Sequence, residues 1–83
     1  MAARFKVGDV VTLFTKGEHP IYVSPAMISQ DGSVKIIKSI EKGGYNPKDW
    51  NDRKQKLADG YFYILEGSMW TYTSTMFAET YEY

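Results

Sequence analysis

The chain has 83 residues, 43% hydrophobic and 16% aromatic, with ten basic and ten acidic side chains and a formal net charge of zero. That length supports one domain, residues 1–83, and a domain so small buries only roughly 60 to 65% of its unfolded surface, so most large apolar side chains are needed in a single core. The absence of cysteine excludes a disulfide scaffold, a thiol nucleophile and Cys-based zinc or iron-sulfur sites, and the single histidine excludes a multi-histidine metal site.

The opening stretch, MAARFKVGDVVTLF, has a mildly basic start but no continuous hydrophobic region ahead of a small-residue cleavage site, and no window reaches membrane-spanning length. A soluble, cytoplasmic protein is expected. Gly8-Asp9 reads as a tight bend, and the β-branched and aromatic run Val10 to Phe14 reads as a strand. The polar stretch TKGEHP reads as a loop, with His19 exposed in it and Pro20 suited to a strand start or edge.

The segment IYVSPAMISQDGSVKIIKSI predicts a hairpin about Asp31-Gly32, with Pro25 interrupting its first arm. On the second arm Val34 and Ile36 share one parity while Lys35 and Ile37 share the other, and the failure of Ile40 to continue the first predicts a bulge near Ile37-Lys38. Residues 41–60, EKGGYNPKDWNDRKQKLADG, form a long loop, with a brief helical turn expected at its Lys-Gln-Lys-Leu segment. A second hairpin follows in YFYILEGSMWTYT, with Tyr61, Tyr63 and Leu65 on one face and a compact turn at Glu66-Gly67-Ser68. The final TSTMFAETYEY predicts one helical or 3-10 turn, capped by Ser74 or Thr75 and supported by Glu79, leading into TYEY.

Short strands with an early bend, a DG turn and a late turn before the last strand suit a closed antiparallel sheet, because closure covers strand edges. The pieces Phe5-Lys6-Val7-Gly8-Asp9-Val10-Val11, the Gly32 turn, and Trp70 ahead of Ser74-Thr75-Met76-Phe77 together resemble the SH3-like barrel superfamily, in particular small KOW or Tudor-like domains. The resemblance implies an all-β, five-stranded antiparallel barrel over roughly residues 4 to 80, here with an elaborated 41–60 loop. In composition the chain is also similar to small phage and bacterial accessory proteins, which implies a modulator of a host protein. A barrel of this kind fixes the fold more than the function.

Catalysis needs an acid, base or nucleophile converging on a reacting atom, and the inventory for that is thin. Glu18 could orient His19, but no nucleophile elbow accompanies them. Asp49, Asp52 and Asp59 lack the spacing of an EF-hand loop and read as solvated partners of Lys48, Arg53, Lys54 and Lys56. Gly43-Gly44 lacks the phosphate-loop spacing. A non-enzymatic protein with no cofactor and no metal is expected.

Binding has better support, because the charge is unevenly placed. Residues 35–56 hold seven basic side chains against three acidic, whereas residues from 57 onward hold four acidic and no basic ones. Two partner classes follow. A protein partner would meet the amphipathic area of Tyr45, Trp50, Tyr61 and Tyr63 together with the Arg53 fork, on a loop stiffened by Pro47. A nucleic acid would instead meet Lys35, Lys38, Lys42, Lys48, Arg53, Lys54 and Lys56, with Tyr45 or Trp50 stacking on an unpaired base. The sequence pI of about 6.6 favours the protein partner. An acidic face of Glu66, Glu79 and Glu82, and self-association through a TYEY strand edge, complete the candidate surfaces.

Overall fold

The structure is a computed structural model and describes residues 3–46 and 58–82. It is all-β in class, with four strands in one antiparallel sheet in the order β1-β2-β3-β4: β1 Val10–Thr12, β2 Val34–Lys42, β3 Tyr61–Leu65 and β4 Thr71–Thr73. A four-residue helix, α1 Pro25–Ile28, interrupts the loop between β1 and β2, and two 3-10 turns, Ser74–Met76 and Ala78–Glu82, follow β4. The sheet is open. In place of a fifth strand, the described residues show one isolated antiparallel bridge, Leu13 to Phe77, beside the first edge of the sheet.

The Gly8-Asp9 bend forms as expected. Gly8 takes a φ of 94°, a left-handed conformation that disfavours residues with a Cβ, while the Asp9 carboxylate accepts the Lys6 N–H at 2.9 Å. Gly8 N–H then donates to the Ile37 carbonyl and Ile37 N–H to the Asp9 carbonyl, delivering the chain into β1 alongside β2. The register pairs Val10 with Ile36 and Thr12 with Val34.

The predicted first arm of the hairpin about Asp31-Gly32 is not a strand. Ser24 in extended conformation accepts the Met27 N–H and Pro25 occupies the first turn, so the local sequence has the chemistry of a helix start and forms α1. The bend at Gly32, with φ 92°, still turns the chain into β2, but the partner of β2 is β1. Asp31 secures the arrangement by accepting Thr15 N–H and Thr15 Oγ1–H, both at 2.7 Å, and Lys16 N–H at 3.1 Å. One carboxylate therefore joins the two ends of the loop that carries α1.

The bulge also appears at the expected place. The register of β2 against β3 shifts between Ile37 and Ser39, after which Ile40 pairs with Tyr63 and Lys42 with Tyr61. This shift lets one long strand serve two neighbours, β1 with its first residues and β3 with the rest. The second hairpin pairs Tyr63 with Tyr72, its return strand beginning at Thr71.

Inward side chains from the four strands, α1, the first 3-10 turn and the segments flanking them meet in one core: Phe5, Val11, Leu13, Met27, Ile37, Tyr63, Leu65, Tyr72, Met76 and Phe77. At its centre Phe5, Tyr63 and Phe77 form three edge-to-face contacts, with centroids 5.3 to 5.7 Å apart, an arrangement favoured by the ring quadrupoles. The first 3-10 turn contributes Met76 to this core, and its cap is Thr73, without a side-chain bond, rather than Ser74 or Thr75.

The end of the chain departs from expectation in a way that bears on association. Residues 78–82 wind as a 3-10 turn, so Thr80 to Glu82 offer no strand edge. Glu79 is half-buried, and its carboxylate accepts Thr12 N–H through both oxygens, at 2.8 and 3.1 Å. Phe14 N–H donates to the Met76 carbonyl at 2.7 Å. The outer edge of β1 is thus capped from Thr12 to Phe14. Replacing Glu79 with Ala leaves the part-buried Thr12 N–H without its acceptor and should cost about 1–3 kcal/mol, read from the urea midpoint; Glu79→Gln, which keeps one accepting oxygen, should lose less.

Candidate functional site

The long loop between β2 and β3 springs from a narrow neck. Gly43 N–H donates to the Gly60 carbonyl at 2.7 Å, one step beyond the final Lys42–Tyr61 pair of the ladder. A Cβ at Gly43 would lie 2.8 Å from that carbonyl oxygen and 2.8 Å from the Tyr45 ring, so glycine permits the two backbones to approach. Tyr45 closes over the junction, donating its O–H to the Tyr61 carbonyl at 3.1 Å and resting its ring on Phe62 at 5.5 Å.

Asp59 anchors the other side of the neck. Read from sequence it is a solvated loop carboxylate, but it is only 3% exposed. One oxygen accepts Tyr61 N–H at 3.0 Å, the short-range Asx geometry that an Asp-Gly pair favours. The other accepts Arg4 N–H at 2.9 Å and the Tyr63 hydroxyl. Such bonding is what a buried carboxylate requires, since the ionised group loses its hydration on burial.

The neck shapes the chemistry of its tyrosines. Burial pushes the Tyr63 phenol above the ordinary value, and the hydrogen bond to Asp59, with that group's charge, pushes it further. Burial also raises Tyr45, with the Asp59 charge adding to the effect. Both rings therefore stay protonated well beyond neutral pH and act as hydrogen-bond donors.

These placements redistribute the residues singled out from sequence. Tyr63 is fully buried and faces Phe5 and Phe77, so it offers a partner no surface; its inward parity in β3 explains why. Tyr61 is half-buried and packs against the core, and Tyr45 is half-buried at the neck. Trp50 and Arg53 lie outside the described residues, as do Lys48, Lys54, Lys56 and the expected Lys-Gln-Lys-Leu turn. Lys35, Lys38 and Lys42 all stand on β2, with Lys38 and Lys42 exposed and Lys35 half-buried opposite Val11. Spread along one strand at about 3.3 Å per residue, Lys35 and Lys42 are roughly 20 Å apart, so the described lysines form a line rather than a cluster.

His19 is also corrected. It is 7% exposed, with Nε2 2.9 Å from the Thr15 carbonyl and Nδ1 2.8 Å from Thr75 Oγ1. A carbonyl only accepts, so Nε2 carries a proton and donates it. Thr75 Oγ1 in turn meets Thr73 Oγ1 at 2.7 Å, a buried polar chain that ties the loop after β1 to the first 3-10 turn. Glu18 remains exposed, so it does not share the buried position of His19. Among the described residues, no three His, Asp or Glu side chains gather to hold a metal ion, and no helix is long and apolar enough to cross a membrane.

Searches of family models, curated proteins and solved structures return no match to this chain.

Two outcomes test the neck. Gly43→Ala forces a Cβ against a backbone carbonyl and should destabilise the fold by about 1–3 kcal/mol, measured by urea denaturation. Raising the pH should also weaken the fold. Because the folded Tyr63 phenol holds its proton more tightly than the unfolded one, stability is complete below the unfolded value near pH 10 and falls as the pH rises above it. Tyr63→Phe should be less stable at neutral pH, with one Asp59 bond lost, and should show a shallower alkaline decline in thermal melts taken between neutral pH and pH 11.

Proposed function

We propose that the chain is a non-enzymatic protein-interaction module of the SH3-like barrel type, and that its contact surface is the 41–60 loop. The observation that carries this reading is the neck. Gly43 bonded to Gly60, Tyr45 closed onto Tyr61 and Phe62, and Asp59 tied to Arg4, Tyr61 and Tyr63 make a fixed frame on which the segment containing Trp50 and Arg53 begins and ends. A loop whose ends are already ordered loses less entropy on binding than one free at its base. Trp and Arg are the residue types that most often dominate protein interfaces.

The barrel assignment draws on the same frame. An open four-stranded sheet with a strongly shared β2, a long loop carrying α1 after the first strand, a 3-10 turn after β4 and a Leu13–Phe77 bridge beside β1 is compatible with an SH3-like chain path in which residues around Phe77 stand where a fifth strand would run. A cytoplasmic role as a regulator of a host protein, including a phage-encoded one, is compatible with a small domain of this kind.

Affinity capture from native lysate tests the proposal, comparing wild type with Trp50→Ala combined with Arg53→Ala, both confirmed folded by circular dichroism. The expected result is a specific protein retained by wild type and lost, by tenfold or more, from the double variant. Retention of the same protein by both would remove the loop from the contact surface. Salt-sensitive retention of nucleic acid in place of protein, weakened by neutralising Lys54 and Lys56, would replace this reading with the nucleic-acid one.

A further inference from the structure

We propose that the open edge of β2 along Lys38, Ile40 and Lys42 is a docking site for an extended, acidic segment of a partner protein, which adds to the sheet as a strand. β2 has β3 on one side throughout its second half, but β1 accompanies its other side only as far as Ile37, where Gly8 N–H meets the Ile37 carbonyl and Ile37 N–H meets the Asp9 carbonyl. Ahead of that point the chain leaves the sheet. Asp9 accepts the Lys6 N–H on its carboxylate and gives its own N–H to the Lys6 carbonyl, a bend from which Phe5 enters the core. Among the described residues, no strand occupies the lane beside Lys38 to Lys42.

Residues of an antiparallel ladder alternate between exchanging bonds with one neighbour and pointing to the other side. Gly43 N–H bonds to the Gly60 carbonyl, so in the same register Glu41 exchanges bonds with Phe62 and Ser39 with Ile64, whereas Ile40 and Lys42 aim their N–H and C=O groups at the empty lane. Tyr61, opposite Lys42, follows the same alternation: its N–H goes to Asp59 and its carbonyl to the Tyr45 hydroxyl, neither to β2. Among the described residues, no group meets the N–H of Ile40 or Lys42 from the open side. Such an edge is a template for another strand.

Side chains along the lane select its occupant. Lys38, Ile40 and Lys42 stand at two-residue spacing, both lysines exposed and Ile40 half-buried against the core, and exposed Lys6 lies on the bend where the lane begins. The nearby acids are placed elsewhere: Asp9 holds the Lys6 N–H, Asp59 is buried, Glu41 has the opposite parity beside Phe62, and Glu66 meets Ile36 from the β3 side. A strand centred on Ile40 therefore meets a positive side chain at each end of its contact, roughly 13 Å apart, and an apolar one between. Glutamate or aspartate two residues to either side of an apolar residue matches that pattern, because opposite charges directly across a strand pair attract and like charges repel. A second copy of this chain is disfavoured for the same reason, since pairing about Ile40 sets Lys38 against Lys42 twice. The site lies at the root of the 41–60 loop but uses neither Trp50 nor Arg53, so it stands apart from the loop reading.

Titration of the isotope-labelled intact chain with the capped heptapeptide Thr-Glu-Thr-Val-Thr-Glu-Thr, followed by amide NMR shifts up to about 5 mM peptide, tests this over a range that reaches weak binding. The Ile40 and Lys42 amides should shift most, and saturably. Methylating the peptide's valine nitrogen, which removes the donor to the Ile40 carbonyl, should weaken binding by about tenfold or more. Lys38→Glu combined with Lys42→Glu should do the same, and the methylated peptide serves if that variant does not fold. The peptide with lysine in place of both glutamates should bind severalfold more weakly. Absence of saturable shifts at Ile40 and Lys42 overturns the proposal, as do shifts centred instead on Thr71 at the opposite edge of the sheet. Binding that ignores valine methylation, or the exchange of glutamate for lysine, overturns it as well. A titration abolished by Trp50→Ala with Arg53→Ala moves the contact to the loop and also overturns it, whereas partner capture by the loop reports on the loop reading separately.

Discussion

Removing the Asp59 carboxylate from water is unfavourable unless its oxygens receive hydrogen bonds, and of the three donors that meet it Tyr61 and Tyr63 lie just beyond it on β3 while Arg4 comes from the far end of the chain. Arg4 brings the segment before the first strand, Tyr61 brings the start of β3, and Tyr63 brings the core. Satisfying one buried charge thus fixes where the chain begins, where the long loop ends and how the central aromatic ring is turned. The Phe5–Tyr63–Phe77 contacts and the Gly43–Gly60 neck flank this point on either side. Loss of the anchor would act first on the loop neck and on the segment before β1.

The same device recurs at smaller scale. Asp9 accepts a backbone N–H in the first bend, Asp31 accepts two at the ends of the α1 loop, and Glu79 accepts one on the sheet edge. With Asp59, four acidic side chains among the described residues receive backbone hydrogen bonds. In a domain with short strands and long loops, many backbone donors lie outside the ladders. Carboxylates can take several of them at once.

Local chemistry made several elements legible in the sequence. The Gly8-Asp9 bend, the bulge after Ile37 and the Tyr61 to Thr73 hairpin all follow from glycine conformations and side-chain parity. Long-range pairing was less legible. Asp31-Gly32 announces a turn but not that β2 will choose β1, and Ser24-Pro25 starts a helix only once the preceding arm has no strand partner. His19 and Asp59 look like solvated loop residues because their partners, Thr75 and Tyr63 with Arg4, are fixed by tertiary contacts. The Asp-Gly pair before YFY did carry the Asx signal that places Asp59 against Tyr61. For the candidate site, sequence identified the loop and its aromatics, but β3 parity turns Tyr63 into the core and packs Tyr61, of the same parity, against its margin, while Tyr45 closes onto Tyr61 at the neck.

Loop recognition needs the neck held closed. Amide hydrogen exchange on Asp59→Asn beside wild type tests the frame most directly, since the substitution keeps the side chain's size while turning one acceptor into a donor. The Arg4, Gly43 and Tyr61 amides should exchange at least about tenfold faster in the variant, with Leu13 and Ile37 protected as before. Unchanged protection at Arg4, Gly43 and Tyr61 would contradict the role given to Asp59.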